Sequence, residues 1–451
     1  MESPPEPLTY PFRPGPGPLP NPVFAELRER PLVRVRMAYG EEAWLATRYA
    51  DVKTVMSDPR FSVAEAVGRD HPRTHPLAGA VSGMFSLDPP EHTRVRGLVS
   101  KELSARRIAG LRDRANQLAE GLLDRMVEEG GPVDLVDRFA IPFPTAMLCN
   151  LLGVPDEDHR RFWDWAVGKL SGTATDDELR TESEEFVSYV VALFEARRRE
   201  PRDDLFSCVL RAREADSRVT EKEMLALAGD LLMAGFLTVS HQIAICFHQL
   251  LLRPGELRRL RDRPALIPAA VEELLRYVQL INFLPPRYAT EDIELGEVLV
   301  RAGDPVLVAT AAANRDPAVF PDGEELRLDR SGPPHLGFGQ GTHYCLGAHL
   351  ARMELQVSLE TVLRRLPGLR LAVPEDELRW MTGGMVLGLR TLPVTFDADQ
   401  GTSDVDRCTS DADRGTPGAR SVPDAPPGPV PGEQPGPGPS CPRSSTYPAH
   451  P

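Results

Sequence analysis

The feature of this 451-residue chain that most restricts its fold is the stretch TEKEMLALAGDLLMAGFLTVSHQIAICFHQLLL, residues 220–252. Thr220-Glu221-Lys222-Glu223 has the form of a capping box, in which the Thr hydroxyl and the Glu carboxylate each satisfy a free amide at a helix start. The apolar pattern continues to about Leu251. At about 1.5 Å per residue such a helix is on the order of 45 Å long, enough to cross a whole domain. It is apolar on most faces from Leu231 to Ile245, which suits a central buried helix, and a polar group in its middle is costly unless used.

Helical spacing also runs through EHTRVRGLVSKELS (91–104), ARRIAGLRDRANQLAEGLLDRMVEEG (105–130), DDELRTESEEFVSYVVALFEARRRE (176–200) and PALIPAAVEELLRYV (264–278). Strand-like pieces are few and short: LVRVRMA, EAWLATR, IELGEVLVRAG, PVLVAT and LPVTF. The fold expected is mainly α with a minor β part.

The ends differ from this body. Residues 397–451 hold 12 Pro and 7 Gly with almost no large apolar side chain, so a disordered tail is expected there. The Pro-rich segment 1–20 leads into the apolar NPVFAEL and is expected to lie extended on a body that spans 21–396. No signal-peptide pattern or run of roughly 20 apolar residues is present, so a cytoplasmic protein without a membrane partner is expected. A net charge of −14, shared by tail and body, argues against nucleic-acid binding. The six cysteines are widely separated, so neither a disulfide framework nor a zinc ribbon is indicated.

One cysteine has an unusual setting. In HLGFGQGTHYCLGAHLAR (335–352), Cys345 follows Gly337, Gly339 and Gly341 and precedes a strong amphipathic helix pattern. Glycines allow a sharp turn and close approach to something flat, and a helix N-terminus favours an anion, so a thiolate suits this place. Four readings stay open on these grounds: a buried structural Cys, a nucleophile with His343 or His349 as base, a zinc site of His343, Cys345 and His349, and a thiolate ligand to haem iron.

Phe338-Gly339-Gln340-Gly341-Thr342-His343-Tyr344-Cys345-Leu346-Gly347 resembles the haem-binding signature of the cytochrome P-450 superfamily at every fixed position. Glu273-Leu274-Leu275-Arg276, ANRDP (313–317) and DPPEHTRVR (88–96) are similar to further family segments and occur in family order, so the resemblance spans about residues 8 to 396, of the soluble bacterial type. It implies a single triangular domain, with haem b (iron protoporphyrin IX) between the long central helix and the Cys-loop helix and Cys345 as axial thiolate. His92, Arg96, Arg287 and His335, with His343, are implied propionate contacts, Phe338, Gly339 and Gly347 part of the haem-binding loop, and Glu273 with Arg276 a structural brace. Ala234, Gly235 and Thr238 match the oxygen groove of the central helix.

The usual acid beside that Thr is Leu237 here, which cannot move a proton and leaves Ser240, His241 or water as substitutes. Two outcomes follow: O2-dependent hydroxylation or epoxidation, or oxidative C–C or C–N coupling of aromatic substrates such as cyclodipeptides without oxygen insertion. A haem sensor or carrier without turnover is the reading from another class. The implied pocket is lined by the loop from Val63 to Phe85, by Met233, Phe236 and Leu237, by Asn282 and Phe283, and by the turn at Met385, with Asn282 and Thr382 as polar anchors. A mid-sized neutral natural product fits this mainly apolar lining. Electrons must come from outside the chain, from a ferredoxin or flavodoxin with its NAD(P)H-dependent reductase, docking at Arg94, Lys101, Arg106, Arg107 and Arg112. A monomer is expected.

Overall fold

The computed structural model describes residues 6–12, 17–74, 83–161, 165, 175–215, 219–235, 237–381 and 385–397. The tail, Phe236, Thr382 and the middle of the loop expected over the pocket lie outside them, as does the side chain of Met233.

The capping box forms as its sequence requires: Thr220 N–H donates to Glu223 Oε2 at 2.8 Å, and Glu223 N–H returns a bond to Thr220 Oγ1 at 3.2 Å. Helix Glu221–Gly235 follows, and Leu237–Leu251 continues the same stretch. All but one of the fifteen residues of the second piece are buried, which is what an element apolar on every face requires. By length and composition alone this 31-residue stretch could cross a membrane, but 75% of its apolar window is buried inside the protein, which marks a core helix.

Val239, Ile243, Phe247 and Leu250 of the central helix share the largest apolar cluster with Leu350, Met353, Leu355 and Val362 of helix Ala348–Arg365. The latter begins three residues after Cys345, so the cysteine is carried by an element anchored directly on the central helix. Two expected helices are interrupted. The one expected over 91–104 ends at Gly97, after which i+3 bonds mix with i+4 bonds and Ser100 Oγ donates to Arg96 O at 2.7 Å, competing with the helical ladder. The one expected over 105–130 is split at Gly110 into Ala105–Ala109 and Arg112–Glu129.

The strands collect in a six-stranded sheet of order Leu8–Thr9, Leu32–Arg36, Ala43–Ala46, Pro305–Val308, Arg287–Ala289 and Phe61–Ser62. Leu8 pairs in parallel with Val35, so the described part of the N-terminal segment lies along the sheet edge. Arg287 pairs with Val306, which fixes this buried residue on a strand of that sheet. Ile293–Leu295 and Val298–Val300 form a separate hairpin, and Pro393–Thr395 lies between two short strands in a third sheet.

Candidate active site

The cysteine loop is closed on itself and against its neighbours. Cys345 N–H donates to Phe338 O at 2.8 Å, and Gly339 N–H donates to Leu336 O at 3.0 Å. Gly341 has φ +74°, and a Cβ there would stand 2.5 Å from Met56 O, so only glycine lets the loop press onto helix Tyr49–Ser57. Among the described cysteines Cys345 alone is exposed, yet burial within the surrounding protein pushes its thiol pKa up. Both statements hold for a group at the floor of a recess. Gly347 N–H and the charges of Arg96 and Arg352 act in the opposite direction, favouring the thiolate.

Two arginines and two imidazoles gather beside that floor. His92 and Arg96 come from helix Glu91–Gly97, Arg287 from the sheet and His343 from the cysteine loop. The rings of His92 and His343 lie 4.2 Å apart. Burial first, and then the neighbouring Arg287 and His92, push His343 down to about 3, while burial lowers His92 and Arg96 and brings Arg287 to about 10. His92 Nε2 and His343 Nε2 are buried with no hydrogen-bond partner among the described residues. The carboxylate whose charge acts on His92, His343 and Arg287, Asp88, is engaged by Ser62 Oγ and by the amides of Val63 and Ala64. Buried cations and donors without an anion are costly, and an anionic ligand would relieve the cost. A bound group that carries carboxylates therefore fits the residues present.

His335 stands apart from this group. Gly337 N–H donates to its Nδ1 at 3.0 Å, so Nε2 carries the proton and donates to Glu272 Oε2 at 3.2 Å. It would have to leave Glu272 to reach a propionate. Two other readings of Cys345 lose support. Among the described residues no group of three or more His, Cys, Asp or Glu could hold a metal ion, which removes the zinc site. His343 faces His92 and resists protonation, which makes it a poor base for a nucleophilic thiol.

In the central helix Thr238 Oγ1 donates to Ala234 O at 2.8 Å, the back-bond expected of a local helix distortion. Ala234 is exposed and Thr238 half-buried, so these two border open space. Gly235 does something else: a Cβ there would lie 2.6 Å from Leu148 Cδ2, so its small size serves packing onto helix Pro142–Leu152. Leu237 is 1% exposed and belongs to an apolar cluster with Leu148, Leu152, Val95 and Val99. Ser240 Oγ is buried with no partner among the described residues, and burial holds the His241 imidazole down to about 4. His241 is therefore a neutral group and no acid near pH 7.

Asn282 and Met385 are brought together, Asn282 N–H donating to Met385 O at 2.9 Å, but the Asn282 side chain accepts from Gln279 Nε2 at 3.2 Å. Phe283 packs against the cluster of Tyr10 and Phe24. Of the five basic residues expected at a docking face, Arg94 pairs with Glu223, Arg107 with Glu102 and Asp203, and Arg112 with Glu360, while Lys101 and Arg106 have no carboxylate partner among the described residues.

The Glu273–Arg276 pair is far more than a helical ion pair on a surface. Both side chains are 2% exposed and joined by two bonds of 2.7 and 2.8 Å. Arg276 also donates to the carbonyls of Asn314, Gly323 and Glu325. Glu273 accepts from Arg327 N–H and Arg330 Nε, a third member that the four-residue motif does not contain. Asn314 Oδ1 in turn accepts from Leu336 N–H at 2.7 Å, linking the brace to the cysteine loop. Sequence reasoning also gave no role to Arg352, which lies seven residues beyond Cys345: it binds Glu272 through Nε and Nη2 at 2.7 and 2.9 Å, donates to Tyr344 Oη at 3.0 Å, and covers the Phe338 ring at 4.5 Å.

Comparison with known proteins meets this geometry from another side. The cytochrome P450 family model matches residues 173–387. The mycinamicin IV hydroxylase/epoxidase of Micromonospora griseorubida is 48% identical over 87% of this chain and 99% of its own length. The nocardicin C N-oxygenase of Nocardia uniformis subsp. tsuyamanensis is 46% identical over 83% of this chain and 95% of its own. A solved structure, cytochrome P450mel 107F1 with biaryl coupling reactivity, superposes with a TM-score of 0.79 at 41% identity over 83% of this chain and 96% of that one. With the cysteine loop, the Glu-Arg brace and the central helix all in place, the chain belongs to the cytochrome P450 family and is a P450 monooxygenase.

Proposed function

We propose that Cys345 would ligate the iron of haem b and that His92, Arg96 and Arg287, with His343 beside them, would hold its propionates. The family carries a thiolate-ligated haem, which when bound supplies reductive activation of O2. The observation that carries the assignment is the convergence of buried His92 and Arg287 with half-buried Arg96 and His343 beside the one exposed cysteine among the described residues.

Each side chain then has a task. Gly347 N–H and the Arg96 and Arg352 charges stabilise the sulfur as thiolate. The Thr238 hydroxyl, fixed by its bond to Ala234 O, keeps its lone pairs available to hold a proton at the edge of the open space. Leu237 excludes water on the side facing Leu148, so protons cannot arrive through that position, and Ser240 Oγ is the buried hydroxyl closest in sequence that can take part. Hydroxylation or epoxidation of a mid-sized natural product is the reaction proposed, in keeping with the relatives' names. Oxidative coupling of aromatic groups is the second reading, favoured by the apolar packing of Leu237, because hydrogen-atom removal without oxygen insertion makes less demand on that proton route.

Electrons are proposed to come from a ferredoxin or flavodoxin with its NAD(P)H-dependent reductase, the chain acting as a cytoplasmic monomer. The reduced protein should give the carbon monoxide spectrum of a thiolate-ligated haem, and Cys345→Ser should abolish it. A haem-loaded wild-type chain without that spectrum ends the assignment. Products formed from a mycinamicin-type macrolide and from a phenolic substrate, with a supplied redox partner, separate the two reactions.

A further inference from the structure

Two elements hold the cysteine loop from behind. Helix Ile267–Tyr277 presents Glu272, and helix Ala348–Arg365 presents Arg352, two turns beyond Cys345. The guanidinium uses every edge. Nε and Nη2 take both oxygens of Glu272, Nη1 reaches Tyr344 Oη, and the planar face lies over Phe338. Tyr344 is covalently joined to Cys345, and Phe338 O accepts the Cys345 amide, so the two partners of Arg352 are the two points from which the cysteine hangs. Glu272 also accepts from His335, whose other nitrogen receives the Gly337 amide, so loop positions 335, 337, 338 and 344 all lead back to one ion pair.

We infer that Arg352 is a positioning residue for Cys345, clamping the ligand loop at Phe338 and Tyr344 and, through its charge, restraining how strongly the thiolate donates to iron. The inference rests on Cys345 being that ligand. The ion pair as such is not its basis: the side chains are 25% and 42% exposed, and half-exposed pairs add little stability. What matters is a fork that bonds in two directions while stacking on a ring, which a lysine cannot reproduce. A cation near the sulfur also eases addition of an electron to the iron–thiolate unit.

The test uses the haem-loaded full chain and the variants Arg352→Gln, Arg352→Lys and Tyr344→Phe. Three quantities are read: the rate at which the ferrous carbon monoxide complex loses its thiolate-type spectrum, the midpoint potential of the iron, and the thermal midpoint. Arg352→Gln should lose the thiolate-type spectrum about tenfold faster, the equivalent of one charge-assisted hydrogen bond, with a more negative potential. Arg352→Lys should restore the potential in part and the spectral lifetime little. Tyr344→Phe, which keeps the ion pair, should shorten the lifetime by less, and it decides the matter if Arg352→Gln does not fold. A wild-type lifetime and potential in Arg352→Gln, even with a lowered thermal midpoint, would make the contact merely structural and overturn the inference. Absence of a thiolate-type spectrum in the wild-type chain would overturn the assignment of Cys345 first and this inference with it.

Discussion

Arg287 occupies a strand, is largely buried, and its guanidinium makes no hydrogen bond among the described residues, so its charge is the most exacting demand the site places on a ligand. Arg287→Ala should therefore speed transfer of haem to an acceptor such as apomyoglobin by about tenfold, the loss of a charge-assisted contact to a carboxylate. An unchanged transfer rate would remove it from the propionate set. The buried histidines make a second demand. Burial holds His241 at about 4 against an ordinary 6.5, so below pH 6.5 the unfolded chain binds more protons than the folded one. Stability should then fall as pH drops from 6.5 towards 4, by on the order of 1–3 kcal/mol from this residue. Urea melts of wild type and His241→Gln across that range check it, and parallel pH profiles would count against the shift. At this scale the sequence was most legible where a motif fixes both residue and spacing, as for Cys345. It was least legible where role depends on what lies across a gap: nothing in the sequence says that Gly235 meets Leu148, or that His335 is claimed by Glu272.

Elements were readable from periodicity, and their interruptions were not. The stretch 91–104 keeps helical spacing throughout, but local side-chain bonds from Ser100 and Ser104 to backbone carbonyls compete with the ladder after Gly97. For the brace helix the sequence showed a commonplace i,i+3 pair, and only tertiary structure adds the three carbonyls and Arg330 that bury it. Glu273→Gln should cost about 3–5 kcal/mol, because Arg276 would remain buried without its counter-charge. A chemical melt with a loss under about 1 kcal/mol would mean the carbonyls suffice. In the central helix, Leu237→Glu brings an unpartnered carboxylate into the cluster of Leu148 and Leu152. It should lower stability by about 1–3 kcal/mol while raising the fraction of electrons recovered in oxygenated product. Unaltered coupling in a folded variant would sink the proton-route argument.

Across the whole molecule, the charge pattern reads differently in three dimensions than along the chain. Three of the five basic residues expected to meet a redox partner spend their charge on Glu223, Glu102, Asp203 and Glu360, leaving Lys101 and Arg106 for an outside partner. Reduction by a ferredoxin should accordingly weaken only modestly between low and physiological salt, and the double change Lys101→Ala with Arg106→Ala should flatten what dependence there is. A steep dependence that survives the double change would place docking elsewhere.

Glu272 and Glu273 are neighbours on one helix and so point about 100° apart, one to the cysteine loop and one to the segment carrying Arg327 and Arg330. That segment and the loop are thus indexed to a single rotation. Inserting or deleting one residue within Ile267–Leu275 would swing both carboxylates away together, and no substitution elsewhere could correct the two errors at once. Among lineages of such chains, length changes should gather in the surface turns and be absent from these nine positions.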